Sequence, residues 1–539
     1  LFLIIGIVWA IVRRVKFRPA STGHSWKEYW AIGLLFLLGI TGYVVEAARI
    51  KSNPQTWDWV SWVGYSVSKI MPPIEPSGYI TLWWIHSVLV MAFIVGLPHM
   101  RLKHIVLAVA SAAGAPERPI GELEALSMEE IEKTGKIGVD ETADFSRWHI
   151  LSVDACMECG RCTDVCPANG VGKTLNPKEV VQSIHRASID KSSVTAGITE
   201  EALWACTTCN ACVETCPVLI RHVDLIVDAR RHLVAEGRLS GTAATVLRQT
   251  GSTGNAWGAS ANQREEWMKD MEIPLAREKK EFDILFWVGC AGATDPSGIR
   301  TTKAIAKLLK KAGIDFACLG QEEACTGDPA RRLGDEFLFQ EKAMGNVATL
   351  AQYNFKRVLT ACPHCMNTFK NEYHQFDGNY EVIHHTQLFA ELIEKGLLSA
   401  AKPLKGEVTY HDPCYLARVN DESDAPRAML GEKTNLNGGA PLLIQTITDS
   451  PEKRNLAEPE HIGRKTLCCG AGGGRMWMEE EPHQRPGNRR AEELLATGAK
   501  TVAVGCPFCR IMLDASIKQV SEDEIRLVDL AELLQEANQ

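Results

Sequence analysis

Apolar and polar positions divide this chain of 539 residues unevenly. The first 108 residues carry long apolar runs, and the remainder alternates short apolar stretches with charged ones, as soluble domains do. Residues 29–48 and 79–98 are each about 20 residues long and mostly apolar, enough to cross a hydrocarbon core of about 30 Å, and both are predicted to be transmembrane helices. The opening run LFLIIGIVWAIV is too short to span and reads as the end of a helix that begins outside this sequence. Arg13, Arg14, Lys16, Arg18 and Lys27 precede the first complete helix, against Arg49, Lys51 and Lys69 in the longer loop after it. The excess of positive charge places the former on the cytoplasmic side and lays WDWVSW along the outer interface.

Beyond the membrane segment, the pattern predicts a multidomain protein. An acidic, polar connector over 109–150 leads to a compact unit at 151–240, and a second connector covers 241–281. Residues 282–400 and 401–539 then repeat one plan. Strand-like runs such as ILFWVGC, KRVLTAC, VTYHDPC and KTVAVGC alternate with helical ones such as GIRTTKAIAKLLKKAG. That alternation predicts two α/β units with cysteines at the carboxyl ends of their strands, where such folds bind ligands.

The cysteines carry the chemistry. Cys156, Cys159, Cys162 and Cys166-Pro, then Cys206, Cys209, Cys212 and Cys216-Pro, repeat the spacing of a two-cluster ferredoxin. Three thiolates of each run close on one [4Fe-4S] cluster and the fourth serves the other, so Cys166 is assigned to the second cluster and Cys216 to the first. Zinc sites, built from separate cysteine pairs, have no use for this run. The 18 cysteines group as metal-binding sets and not as a disulfide framework, which points to a reducing compartment. A net charge of −8 gives no nucleic-acid signal.

The two later units present Cys290, Cys325, Cys362 and Cys365 in the first copy, and Cys414, Cys468, Cys469, Cys506 and Cys509 in the second. Thr326 stands where the second copy has Cys469, and Cys318 is read as a core residue. The glycines of Gly470–Arg475 do not form a dinucleotide fingerprint, since no strand-to-helix turn surrounds them, and are read as letting backbone N–H groups approach cluster sulfurs. His384, His385 and His411 are read as structural. In the membrane segment, His86 and His104 are 18 residues apart. On a continuous helix that is five turns, roughly 27 Å, with both imidazoles on one face, a geometry suited to two stacked haems. Neither complete helix offers second axial ligands, since His24 precedes the first, so these are expected upstream of this sequence.

On these residues the membrane segment is similar to the C-terminal helices of the cytochrome b subunit of respiratory nitrate reductases, which implies b haems ligated by His86 and His104. The later units resemble the cysteine-rich CCG domains of heterodisulfide reductases. That resemblance implies a non-cubane [4Fe-4S] cluster on Cys414, Cys468, Cys469, Cys506 and Cys509, the expected catalytic set, with a further cubane on Cys290, Cys325, Cys362 and Cys365. The whole order, with CTGDPARRLGDEFLFQ, VIHHTQL, VTYHDPCYLAR and CCGAGGGRMWMEE, resembles the membrane-bound electron transfer flavoprotein:menaquinone oxidoreductases. The resemblance implies electron flow from a flavoprotein heterodimer carrying FAD, reduced by acyl-CoA oxidation, to menaquinone. It also implies a multi-pass protein of the cytoplasmic membrane whose clusters face the cytoplasm. The alternative is a component coupling a thiol/disulfide couple to the quinone pool, as in heterodisulfide reductases or sulfite-reduction-associated complexes.

Overall fold

The structure, a computed structural model, describes residues 2–17, 26–398, 406–430 and 456–538. Arg18 and His24 lie outside them, as does the side chain of Lys27. The chain forms two units: residues 1–115 with 147–164 and 217–220, and residues 116–146 with 165–216 and 221–539.

In the first unit, helices α1 (Phe2–Val12), α2 (Trp26–Ser52), α3 (Trp62–Ile70), α4 (Pro76–Gly96) and α5 (His104–Ala113) follow one another. Two spans, Tyr29–Ser52 and Pro76–His99, are long and apolar enough to cross a membrane. Trp30, Leu37, Ile40, Trp84, Val88 and Val95 stand exposed on them, an apolar surface that water would not tolerate but lipid would. Ala31 and Leu34 of α2 bury against Met100, with Leu89 and Phe93 of α4 packed alongside. Arg49 at the end of α2 donates to Asp58 at 2.6 Å and closes the turn toward α3.

The helix does not continue from α4 to His104. It ends at Gly96, and single 3₁₀ turns at Leu97–His99 and Arg101–Lys103 flank an extended Met100 (φ −96°, ψ 157°). Pro98 is the physical cause, because its ring clashes with the preceding turn and it cannot donate to the helical ladder. The five-turn, single-face relation expected between His86 and His104 therefore does not hold. Past the break, α5 packs on the helix Arg147–Asp154, where Trp148 Nε1 donates to the Ser111 carbonyl at 2.9 Å.

The second unit is built on two parallel sheets. Strands β1 (Ile284–Trp287), β2 (Phe316–Ala317), β3 (Arg357–Thr360) and β4 (Glu381–His384) are ordered β2-β1-β3-β4. Strands β5 (Val408–His411), β6 (Thr501–Val504) and β7 (Arg526–Asp529) are ordered β5-β6-β7. Most strand residues are buried, as expected of parallel strands covered on both faces, and the exceptions lie at the first residues of β3, β4, β6 and β7. Phe286, Leu359 and Ile383 of the first sheet share one core with Tyr410, Ala503 and Val528 of the second, so the repeats fold against each other.

Both expected connectors are folded in part. Leu123 N donates to Glu372 at 3.1 Å, and Ala125 N donates to Gln375 at 2.7 Å, which fastens the stretch after Pro116 to the first repeat. Within 241–281, a helix at Gly241–Thr253 precedes a 3₁₀ segment, Ala261–Met268, that buries Arg264, Trp267 and Met268. Their polar composition conceals this, because the few buried side chains are widely spaced.

Candidate electron-transfer site

Strand pairing explains how distant cysteines meet. Trp287 and Thr360 are in register at the ends of β1 and β3, so the chain leaves the sheet side by side toward Cys290 and toward Cys362 and Cys365. His411 and Val504 are likewise in register at the ends of β5 and β6, ahead of Cys414 and of Cys506 and Cys509. Cys362 and Cys506 each sit at the N-cap of a helix that opens with proline, a position whose dipole favours a thiolate, although burial pushes the Cys362 thiol well up. The carboxyl-end placement expected of the repeats is therefore present in both.

The thiols form a run of contacts. Cys209 hydrogen-bonds Cys468, which also bonds Cys414 and Cys469. Cys469 bonds Cys509, Cys509 bonds Cys506, and Cys506 reaches across the repeats to Cys362, which bonds Cys365. Cys290 and Cys325 bond each other beside this run. Cys166 lies near Cys206 and Cys209, whose charges act on its thiol. Cys318 takes no part: it lies in the core beyond β2, and burial pushes its thiol up.

The donor set fits iron–sulfur clusters. None of the 18 cysteines is in a disulfide. Backbone N–H groups of Thr208, Gly327, Gly470 and Cys509 point at the sulfurs of Cys206, Cys325, Cys468 and Cys506 at 3.3–3.5 Å, and such donors stabilise sulfur-bound negative charge. Beside Cys290, Cys325, Cys362 and Cys365 lies a small cavity of about 20 Å³, bordered also by Thr326, His364 and Phe508. The Cys325 hydrogen bond and, against burial, the Arg264 charge bring the Cys290 thiol down to about 5. Burial pushes Cys506 up, but bonds from Cys362 and Cys509 outweigh it and hold it at about 6.

Arginines absent from the sequence-based assignment fasten this assembly. Arg264 donates to Cys290 Sγ at 3.3 Å and to Glu323 at 2.8 Å, while Glu323 accepts from Val288 N and Gly289 N at 2.9 and 2.8 Å. Burial raises Glu323 to about 7. Arg230, fully buried, donates to the carbonyls of Leu203, Cys206, Arg332 and Gly473. Arg418 donates to the carbonyls of Cys209 and Thr466. The glycines serve a second purpose here. A Cβ on Gly473, at φ +65°, would lie 2.2 Å from the Cys206 carbonyl oxygen, so only glycine lets this loop close on the second ferredoxin loop.

His384 bonds Thr386 and the Ala361 carbonyl, and His385 bonds Asp529 across the repeats at 3.0 Å, consistent with a structural reading. His411 differs: a ring nitrogen lies within 4.8 Å of the Cys469 and Cys509 sulfurs. In the first unit, His86 Nδ1 lies 2.8 Å from Thr41 Oγ1, whose hydroxyl donates to the Leu37 carbonyl. Thr41 therefore accepts from Nδ1–H, which leaves Nε2 as the acceptor nitrogen of the ring.

The 4Fe-4S dicluster domain family matches residues 149–217, and the CCG cysteine-rich domain family matches 284–370 and 445–514. The chain is 32% identical over 591 aligned positions to the probable iron–sulfur-binding oxidoreductase FadF of Bacillus subtilis, covering 99% of this chain and 81% of that one. It is 32% identical over 574 positions to the EtfAB:quinone oxidoreductase of Syntrophomonas wolfei, covering 94% and 77%. The chain belongs to this family of iron–sulfur oxidoreductases. A component of the dihydromethanophenazine:CoB–CoM heterodisulfide reductase of Methanosarcina barkeri is 28% identical over 421 positions, covering 74% of this chain and 97% of that one. The family thus combines a ferredoxin-like dicluster domain with two cysteine-rich repeats in an oxidoreductase.

Proposed function

We propose that this oxidoreductase takes electrons from a reduced electron transfer flavoprotein heterodimer carrying FAD and delivers them to menaquinone in the cytoplasmic membrane. The observation that carries this reading is the run of thiol contacts from Cys209 through Cys468, Cys469, Cys509 and Cys506 to Cys362 and Cys365. When bound, iron–sulfur clusters exchange single electrons, which is what joins a two-electron flavin to a quinone.

In this reading Cys414, Cys468, Cys469, Cys506 and Cys509 hold a non-cubane cluster, while Cys290, Cys325, Cys362 and Cys365 hold a cubane. The eight ferredoxin-type cysteines hold two more. His86 and His104 each give one axial ligand to a b haem, and the hydrogen bond to Thr41 orients His86 for that role. Burial of the CCG thiols and the arginines around them keeps water from the sulfurs and fixes the thiolates in place.

The test is anaerobic mixing of the purified full-length protein with reduced flavoprotein and a menaquinone analogue. Quinone reduction is the expected result, and turnover only with a thiol or disulfide overturns the proposal. Reduced-minus-oxidised spectra should show a b-type α band that His86→Ala removes; its absence from the wild type refutes the haem assignment alone.

A further inference from the structure

His411 invites a reading as a metal ligand, because it forms a tight buried group with Cys469 and Cys509. Its hydrogen bonds argue for something else. Arg490, fully buried, donates from Nε to His411 Nδ1 at 3.0 Å. The guanidinium cannot reverse this bond, since it has no acceptor and keeps its protons. Its other contacts hold it there: Nη1 donates to the His461 carbonyl at 2.9 Å and to Glu493 at 2.6 Å. Nδ1 is therefore an acceptor, and the neutral ring must carry its proton on Nε2. Nε2 is buried and makes no hydrogen bond among the described residues, while the Cys469 and Cys509 sulfurs lie within 4.8 Å of a ring nitrogen. What remains near the ring is sulfur.

We infer that His411 is a positioning residue whose Nε2–H, fixed in that tautomer by Arg490, donates to the Cys469 sulfur and raises the reduction potential of the cluster held there. The inference rests on assigning a cluster to the second repeat. A ring with Nδ1 accepting and Nε2 protonated has no lone pair for iron, so His411 tunes the site without joining its ligands. Donation to a cluster sulfur stabilises the reduced, more negative state, and so favours electron uptake.

The experiment is an EPR-monitored redox titration of the full-length protein and two variants, with iron counted in each. His411→Phe fills the space without a donor. His411→Asn can still accept from Arg490 but is too short to reach the sulfur, and it keeps the test available if the phenylalanine variant does not fold. The expected result is an unchanged iron content and signal shape, with the midpoint potential shifted downward. An unshifted potential overturns the inference. Loss of iron or a changed signal shape also overturns it, by making His411 a ligand. Absence of the cluster signal from the wild type instead refutes the cluster assignment, and the inference with it.

Discussion

The two CCG repeats place cysteines at the same strand ends yet surround them differently. In the first, Thr326 occupies the position of Cys469 and donates its hydroxyl to Cys365 Sγ at 3.8 Å, leaving four thiols beside an open cavity. In the second, five thiols crowd together, and Cys468 extends the set to the second ferredoxin loop through Cys209. The charged groups differ as well. Cys290 meets the Arg264 guanidinium directly, whereas Cys469 lies beside the His411 imidazole with an arginine behind it. Repetition has preserved the frame, which depends on strand pairing, while ligand number and local charge have diverged. The second repeat is joined through Cys468 and Cys209 to the second ferredoxin loop, and the first borders a small cavity of its own.

The largest expected effect comes from removing the feature that distinguishes the second repeat. Cys469→Ser should abolish the unusual EPR signal of a five-thiolate cluster while the ferredoxin-type signals persist. If every signal survives unchanged, the repeats do not differ in cluster type and the comparison fails.

Arg264→Met tests the charge difference. The change strands Glu323 in the core, and breaking a buried pair from one side costs about 3–5 kcal/mol. Thermal unfolding should therefore shift strongly, and the double variant Arg264→Met with Glu323→Gln should recover much of the loss. In the rescued protein the first-repeat cluster should titrate at lower potential, since a positive charge on its ligand is gone. An unchanged potential would mean that Arg264 only holds the fold together.

How much of this is legible in the sequence follows from the range of each interaction. Cysteine spacing is local, so both ferredoxin runs and both CCG sets can be read from the chain, as can the two apolar spans. The strand ends are legible because a parallel sheet places ligand-bearing turns at one edge. Arg264, Arg230 and Arg418 are not, because each acts on carbonyls or thiols contributed by distant segments, 243 residues away for Arg230 and Gly473. His411 reads as structural from the sequence, since only the fold reveals the arginine behind it. The break before His104 is half-legible. Pro98 is visible, but whether a proline kinks a helix or ends it depends on the packing of Met100 against α2.

A smaller change sharpens the comparison from the other side. Thr326→Cys gives the first repeat the Cys-Cys-Gly run of the second, at a buried site of nearly equal volume, so stability should move by no more than about 1 kcal/mol. If ligand number sets cluster type, a second signal of the five-thiolate kind should appear. If the original spectrum persists at full iron loading, Arg264 and the cavity decide the difference, and Thr326 is incidental.

The smallest expected effect concerns Cys318, a fifth cysteine in the first repeat that could undo the contrast. It follows the edge strand β2 and its backbone bridges to Leu275, packed in the core with Phe316 and Ile305. Burial first, and then the Glu323 carboxylate, push its thiol up, which disfavours the thiolate that iron requires. Cys318→Ala should therefore cost only about 1 kcal/mol for the small void and leave iron content and every EPR signal unchanged. Loss of iron in this variant would make the first repeat a five-thiolate site by another route, and the difference between the repeats would then lie in geometry and not in ligand number.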